Sequence, residues 1–173
     1  MADFETAVLL TLQNEGGFFD NPVTGEVVNY GVTLAFASGC GYCSATDQDY
    51  IRSLTRDQAI DIYKKYFWDP HNFALFNDQV LANKAFDLTV NMGPGDRNME
   101  GALTLLQRAV CECGGHCEVD GVIGPRTLAA INAADPAQLL TAYRARAKAR
   151  YEQIAQNPKL AGDLAGWLER LAA

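Results

Sequence analysis

Between Asp78 and the Gly93-Pro94-Gly95 stop, the chain runs for the length of a helix with few charges on any face. Leu81, Ala85, Phe86 and Val90 recur at helical spacing, Asp78 suits an N-cap, and the two glycines around a proline end the run. A helix that is apolar nearly all round must be covered on every side. The rest of the chain therefore has to supply a covering layer, and its own pattern is helical too.

Phe4, Val8 and Leu12 mark a first helix, with Asp3 able to cap its start and Gly16-Gly17 supplying a stop. Thr55-Arg56-Asp57-Gln58 reads as a capping box opening a helix through Ile60, Tyr63 and Phe67, stopped near Pro70. Met99, Ala102, Leu103, Leu106 and Val110 form an amphipathic set. Asp135-Pro136, an N-cap with proline at the first helical position, opens a long helix through Leu139, Tyr143, Ala147, Tyr151 and Ile154. Leu160, Leu164, Trp167, Leu168 and Leu171 define a last one. Strand signal is confined to Val27-Val28 and Tyr30-Gly31-Val32, which predict a short hairpin after the first helix. No segment repeats at a fixed period. The composition shifts at Cys111 to Cys117, dividing residues 1–110 from a C-terminal helical subdomain at 111–173.

At 173 residues the chain can build one domain with a sizeable core and a small subdomain. No apolar run approaches the length that spans a bilayer, so no membrane anchor is expected. The first basic residue is Arg52, so no signal-peptide pattern is expected either. Net charge is −7; residues 1–50 hold seven acids and no Lys or Arg, while residues 121–173 hold seven basic and four acidic side chains. An overall acidic balance disfavours nucleic acid as a partner. The basic run Arg144, Arg146, Lys148 and Arg150 reads as a solvated helix face, with an anionic cell-wall polymer as the alternative.

Glu15 is a lone carboxylate in the last turn of the first helix. There the negative end of the helix dipole, together with any dryness of the site, favours the protonated form that a general acid needs. Asn14-Glu15-Gly16-Gly17-Phe18 and Asn29-Tyr30-Gly31-Val32-Thr33 are followed by Tyr66-Phe67-Trp68-Asp69-Pro70, the segment from Ala85 to Gly93, and the segment from Asp120 to Leu128. In that order, over residues 4–171, they resemble the lysozyme-like N-acetylmuramidases of glycoside hydrolase family 108 with their C-terminal predicted peptidoglycan-binding segment.

The resemblance implies a mainly α fold: a lysozyme-like helical domain, a small β flap and a C-terminal helical subdomain. It implies a peptidoglycan hydrolase cleaving the β-1,4 bond between N-acetylmuramic acid and N-acetylglucosamine, with Glu15 as general acid. No cofactor and no metal are implied, and a monomer is expected. A phage or prophage endolysin, made in the cytoplasm and reaching the wall by holin-type or other export, fits a chain of this kind. A lytic transglycosylase and a non-catalytic cell-wall binder on the same fold are the alternatives.

A second carboxylate is less plainly marked. The family typically has Asn-Asp-Pro where this chain has Asp20-Asn21-Pro22, which leaves Asp20 as the candidate and Glu26 as a further one. Thr33 either orients the attacking water or caps a short helix through Leu34 and Phe36. Asn29 and Tyr30 are candidates to line the flap against sugar. Asn91 either binds an N-acetyl group or caps its helix. Asp87, one turn before Asn91, is read as a buried carboxylate anchoring backbone amides. Asp120-Gly121 is a turn before a helix started by Gly124-Pro125, and serves as scaffold or as binding site. The cysteines fall in two loops, Cys40-Gly-Tyr-Cys43 and Cys111 to Cys117 with His116 among them. Disulfides, a zinc site drawing on both loops, and plain thiols all remain open.

Overall fold

The computed structural model describes residues 1–15, 17–20 and 26–173. Gly16 of the expected helix stop, and Asn21 and Pro22 after Asp20, lie outside the described residues. The apolar run after Asp78 forms the central helix. Helix α1 is Phe4–Glu15, and the central helix, α5, is Gln79–Met92, with α2 (Leu34–Gly39), α3 (Gln48–Ser53) and α4 (Arg56–Tyr63) between them. The Asp78 carboxylate accepts from the Leu81 amide at 2.7 Å, and Gly93 closes α5 at φ +76°. Both ends are thus satisfied by the residues that mark them in the sequence.

Helix α5 buries Leu81, Ala82, Ala85, Phe86 and Leu88. Phe86 meets Trp68 edge-on at 5.4 Å between ring centroids, with Phe4 and Phe73 each at 6.0 Å. Truncating such a ring to alanine costs about 3–5 kcal/mol, so this aromatic knot fixes where α1 lies against α5. The C-terminal helices α6 (Ala102–Glu112), α7 (Pro125–Ala133), α8 (Pro136–Ile154) and α9 (Leu164–Ala172) complete the cover. One apolar core runs from Ala2 to Leu171. The division expected at Cys111 falls at the C-terminal end of α6, and the core continues across it.

The turn before α7 is tied to α6 through Gln107, which is fully buried. Its side-chain oxygen accepts from the Asp120 and Gly121 amides, and its amide donates to the Asp120 carboxylate at 2.8 Å. This hydrogen bond, more than any other influence, holds the Asp120 carboxyl below the usual carboxylate range. Asp120-Gly121 is therefore built as scaffold.

A second, smaller core gathers Val27, Val32, Ala37, Ile51, Leu54, Ala59 and Ile62. Over it lies a three-stranded antiparallel sheet, β1 (Phe19–Asp20), β2 (Val27–Asn29) and β3 (Val32–Thr33), in that spatial order. The expected hairpin is β2–β3; β1, pairing Asp20 with Val27, carries no periodic signal and was not expected. The Thr55–Gln58 capping box opens α4 as its sequence predicts. The helix does not continue regularly to Pro70, however. After Tyr63 it widens into a π segment, Lys64–Trp68, and then tightens into a 3-10 turn, Asp69–His71. In a regular helix the Pro70 ring would strike the Tyr66 carbonyl, which accounts for the change of pitch.

Candidate active site

Glu15 is the last residue of α1, at the seam between the two cores. The flap reaches it through the β2–β3 turn. Tyr30 (φ +49°) and Gly31 (φ +74°) both adopt left-handed backbone, the pattern of a tight hairpin turn whose twist matches its strands. That conformation is strained for a tyrosine, and the Tyr63 hydroxyl holds it by donating to the Tyr30 carbonyl at 2.8 Å. Gly31 lies directly against the acid. A Cβ there would stand 2.5 Å from both Glu15 Oε2 and the Tyr63 hydroxyl oxygen. Glycine is required on two counts, backbone conformation and space. Burial, reinforced by the charge of Glu15, pushes the Tyr63 phenol far above the ordinary tyrosine range, so it stays a neutral donor.

On its other side Glu15 meets α9. Arg170 Nη2 donates to Glu15 Oε1 at 2.5 Å. The same guanidinium straddles Asp87 of α5, with Nε on Oδ2 at 3.0 Å and Nη2 on Oδ1 at 2.9 Å. Asn14 donates to Asp87 Oδ1 at 3.1 Å, and Lys84 donates to the Arg170 backbone carbonyl at 2.7 Å. The side chains of Arg170 and Glu15 are only 9% and 16% exposed. Burial works against the charge of Arg170, but its bonds to Asp87 and the two carboxylates outweigh that and raise its pKa. Asp87 is buried as expected, but its partners are the guanidinium and the Asn14 amide rather than backbone amides. A fork-shaped cation on the facing helix satisfies both of its oxygens.

The other sequence candidates scatter around this centre. Asn29 is 7% exposed and donates to the Ile51 and Leu54 carbonyls, pinning β2 to the end of α3. Thr33 caps α2 by accepting from the Phe36 amide at 3.2 Å, and it borders a groove of about 640 Å³ that Glu26 also lines. Asp20 lies on the exposed strand β1, where Arg52 reaches it at 3.1 Å. Asn91 accepts from the Tyr151 hydroxyl at 2.7 Å, and Gly93 makes the helix cap. It also lines a polar groove of about 760 Å³ with Gln13, Asn14, Trp167 and Arg170. Trp167 stacks on Tyr151 there, with ring centroids 5.2 Å apart.

Arg170 was not a sequence candidate. Its signal is present: it stands three residues after Trp167 and beside Leu171, a lone cation on the buried stripe of α9. Among the described residues no three His, Cys, Asp or Glu side chains converge to hold a metal ion, so a zinc site joining the two cysteine loops is not assembled. The cysteines are free thiols, with Cys111 and Cys117 Sγ 4.0 Å apart. Burial above all, with Cys111 beside it, pushes the Cys117 thiol up to about 12. Among the described residues no helix is long and apolar enough to cross a membrane.

Residues 8–93, which carry Glu15, the flap and α5, match the glycosyl hydrolase 108 family. Residues 101–172, which carry Arg170, match the predicted peptidoglycan domain. The structure of SagA from Brucella abortus superposes with a TM-score of 0.76 at 24% identity, covering 98% of this chain and 89% of that one. No curated protein matches the chain. The SagA likeness establishes the lysozyme-like, mainly α fold, and the two family matches in succession establish the rest: the chain joins a glycosyl hydrolase 108 segment, residues 8–93, to a predicted peptidoglycan domain, residues 101–172, and is a glycoside hydrolase of peptidoglycan.

Proposed function

We infer that the protein is an N-acetylmuramidase, cleaving the β-1,4 bond between N-acetylmuramic acid and N-acetylglucosamine with Glu15 as general acid. The observation that carries this reading is the placement of Glu15, at the end of α1, directly against the Tyr30-Gly31 turn of the flap, so close that a Cβ at Gly31 would strike Glu15 Oε2. Glu15 gives its proton to the glycosidic oxygen as the bond to the anomeric carbon breaks. Water then adds its hydroxyl to that carbon on the opposite side, and its remaining proton passes to a second group. Asp20, on β1, is the candidate for that second role, with Glu26 a further one, and Thr33, on β3, is the candidate to orient the attacking water. Tyr30 walls the flap side of the cleft, Asn29 holds the flap in place from beneath, and Asn91 with Trp167 offers a polar and aromatic surface to the sugar chain. Residues 1–110 act as the catalytic region in this reading and 111–173 as the peptidoglycan-facing subdomain. An endolysin role, with the enzyme released onto the wall by a holin-type pore, is consistent with it.

One digest tests the reading. Purified peptidoglycan is treated with the protein, its products are reduced with borohydride, and the modified sugar is identified by mass spectrometry. Muramitol is the expected product. Glucosaminitol would make it a glucosaminidase, anhydro-muramic ends a transglycosylase, and no soluble fragments a binding protein. Folded Glu15→Gln should lose activity by about 10²–10⁴-fold, the range of a lost general acid. Near-wild-type activity in that variant would remove Glu15 from the chemistry.

A further inference from the structure

Arg170 has more partners than a structural ion pair needs. Asp87 alone, taking Nε and Nη2 in a fork, balances its charge and fixes its plane. Yet Nη2 also reaches Glu15 Oε1, across 155 residues of sequence. The Lys84 ammonium, on the carbonyl of the same arginine, offsets the second carboxylate: the cluster holds Glu15, Asp87, Lys84 and Arg170, two charges of each sign. Both family segments contribute to it, since Arg170 comes from the peptidoglycan domain and the others from the hydrolase segment.

The geometry points to Arg170 as a positioning residue for Glu15: the peptidoglycan domain reaches back to hold one oxygen of the acid and to stabilise the carboxylate left when its proton departs. This rests on the reading of Glu15 as the general acid. Asp87 braces the guanidinium, the guanidinium fixes Oε1, and Oε2 is left as the oxygen nearest Gly31 and the flap. On proton transfer to the glycosidic oxygen, Glu15 becomes an anion in a nearly dry site. A cation already aimed at it lowers the barrier without any rearrangement. Removing a cation from beside a carboxyl group favours that group's protonated form, so the alkaline fall in activity reads whether Arg170 acts on the acid.

Other titratable groups face the cluster. Asp87 and Lys84 come from α5, Tyr63 from α4, and Tyr143, Arg144 and Tyr151 from α8. The three phenols are held far above their ordinary range, each chiefly by burial, and stay neutral through the working range. Burial lowers the Lys84 amine while Asp87 draws it back up; its bond is to the Arg170 carbonyl.

The test is the rate of peptidoglycan solubilisation against pH for the full chain and for Arg170→Met, Arg170→Lys and Glu15→Gln, with folding followed by circular dichroism. Arg170→Met should lose about 10²-fold in rate, as when one charge-stabilising donor is removed, and its alkaline fall in activity should move to higher pH. Arg170→Lys keeps the charge and loses the fork, so it should recover part of the rate and bring that fall back toward the wild-type position. If Arg170→Met does not fold, the lysine variant carries the test: a wild-type rate there, or a fall displaced despite the retained charge, would overturn the inference, and a reduced rate with the fall near its wild-type position would support it. A folded Arg170→Met with the wild-type rate and profile would also overturn it. An active Glu15→Gln would overturn the acid assignment itself, whereas an inactive one beside an unmoved Arg170→Met profile would overturn only the role of Arg170.

Discussion

Glu15 and Asp20 stand five residues apart, each faces an arginine, and each is a candidate for the chemistry, yet the two pairs are built differently. Arg52 and Asp20 meet on the flap with 40% of each side chain exposed, and Arg52 also contacts Asp49 and Gln48. Arg170 and Glu15 meet inside the helical body at 9% and 16%, with Asp87, Asn14 and Lys84 completing the shell. Water screens the first pair and competes for it, so geometry there is loosely enforced. The second pair has little water to fall back on, and every member depends on the others. A carboxylate in the flap is thus free to change partners, whereas one in the body is held.

The sharpest way to break this comparison is to remove the brace from the buried side. Asp87→Ala leaves the Arg170 cation with one carboxylate in a dry site, and should cost about 3–5 kcal/mol of stability, lowering Tm on the order of 10 °C. Thermal unfolding by calorimetry measures it, and a loss no larger than that of an exposed pair would place the cluster in contact with water. Gly31→Ala comes next. Its Cβ would press on Glu15 Oε2 and the Tyr63 hydroxyl, so the acid should shift and activity fall by about 10²-fold while the fold persists. Activity on peptidoglycan near wild type would mean that the flap yields and does not fix the acid.

Acid titration sharpens the comparison once the imidazoles are accounted for. Burial lowers the pKa of His71 below its ordinary 6.5, so the folded state favours the neutral ring. That contribution is complete above the unfolded value and is lost as pH falls through 6.5 and then through the folded value. His71→Phe should therefore flatten the drop in Tm just below 6.5, leaving any steeper loss at lower pH to the carboxylates. The smallest effect is expected on the flap. Asp20→Asn and Arg52→Ala should each leave Tm within the scatter of the wild type and insensitive to added salt. A clear loss of activity in Asp20→Asn, with Tm unchanged, would identify Asp20 as the second catalytic carboxylate.

Features set by neighbours in the chain are the ones the sequence makes legible. The caps at Asp78, Thr55 and Asp135, the β2–β3 hairpin and Glu15 at the end of α1 all follow from local rules about backbone donors and apolar spacing. Features set by distant contacts are not. Strand β1 exists because Asp20 and Phe19 find β2, and the π segment reflects a proline two residues beyond it. Asn29 lies within a motif that suggests sugar binding, but its amide is spent on two carbonyls at the end of α3. Arg170 is the extreme case. Spacing on α9 shows a cation on a buried stripe, but only the folded chain brings it to Glu15 and Asp87.

That separation has a consequence for the order in which the enzyme comes into being. A ribosome delivers Glu15 first and Arg170 155 residues later, an interval on the order of ten seconds. Once α5 has emerged, α1 and α5 can pack, with two carboxylates side by side and Lys84 nearby to oppose them. Helix α9 carries the charge that resolves the conflict, so its docking is favoured by electrostatics as well as by burial of Leu171. Docking of α9 therefore arms the site, and a nascent chain stalled short of α9 holds its acid without the partner that orients it.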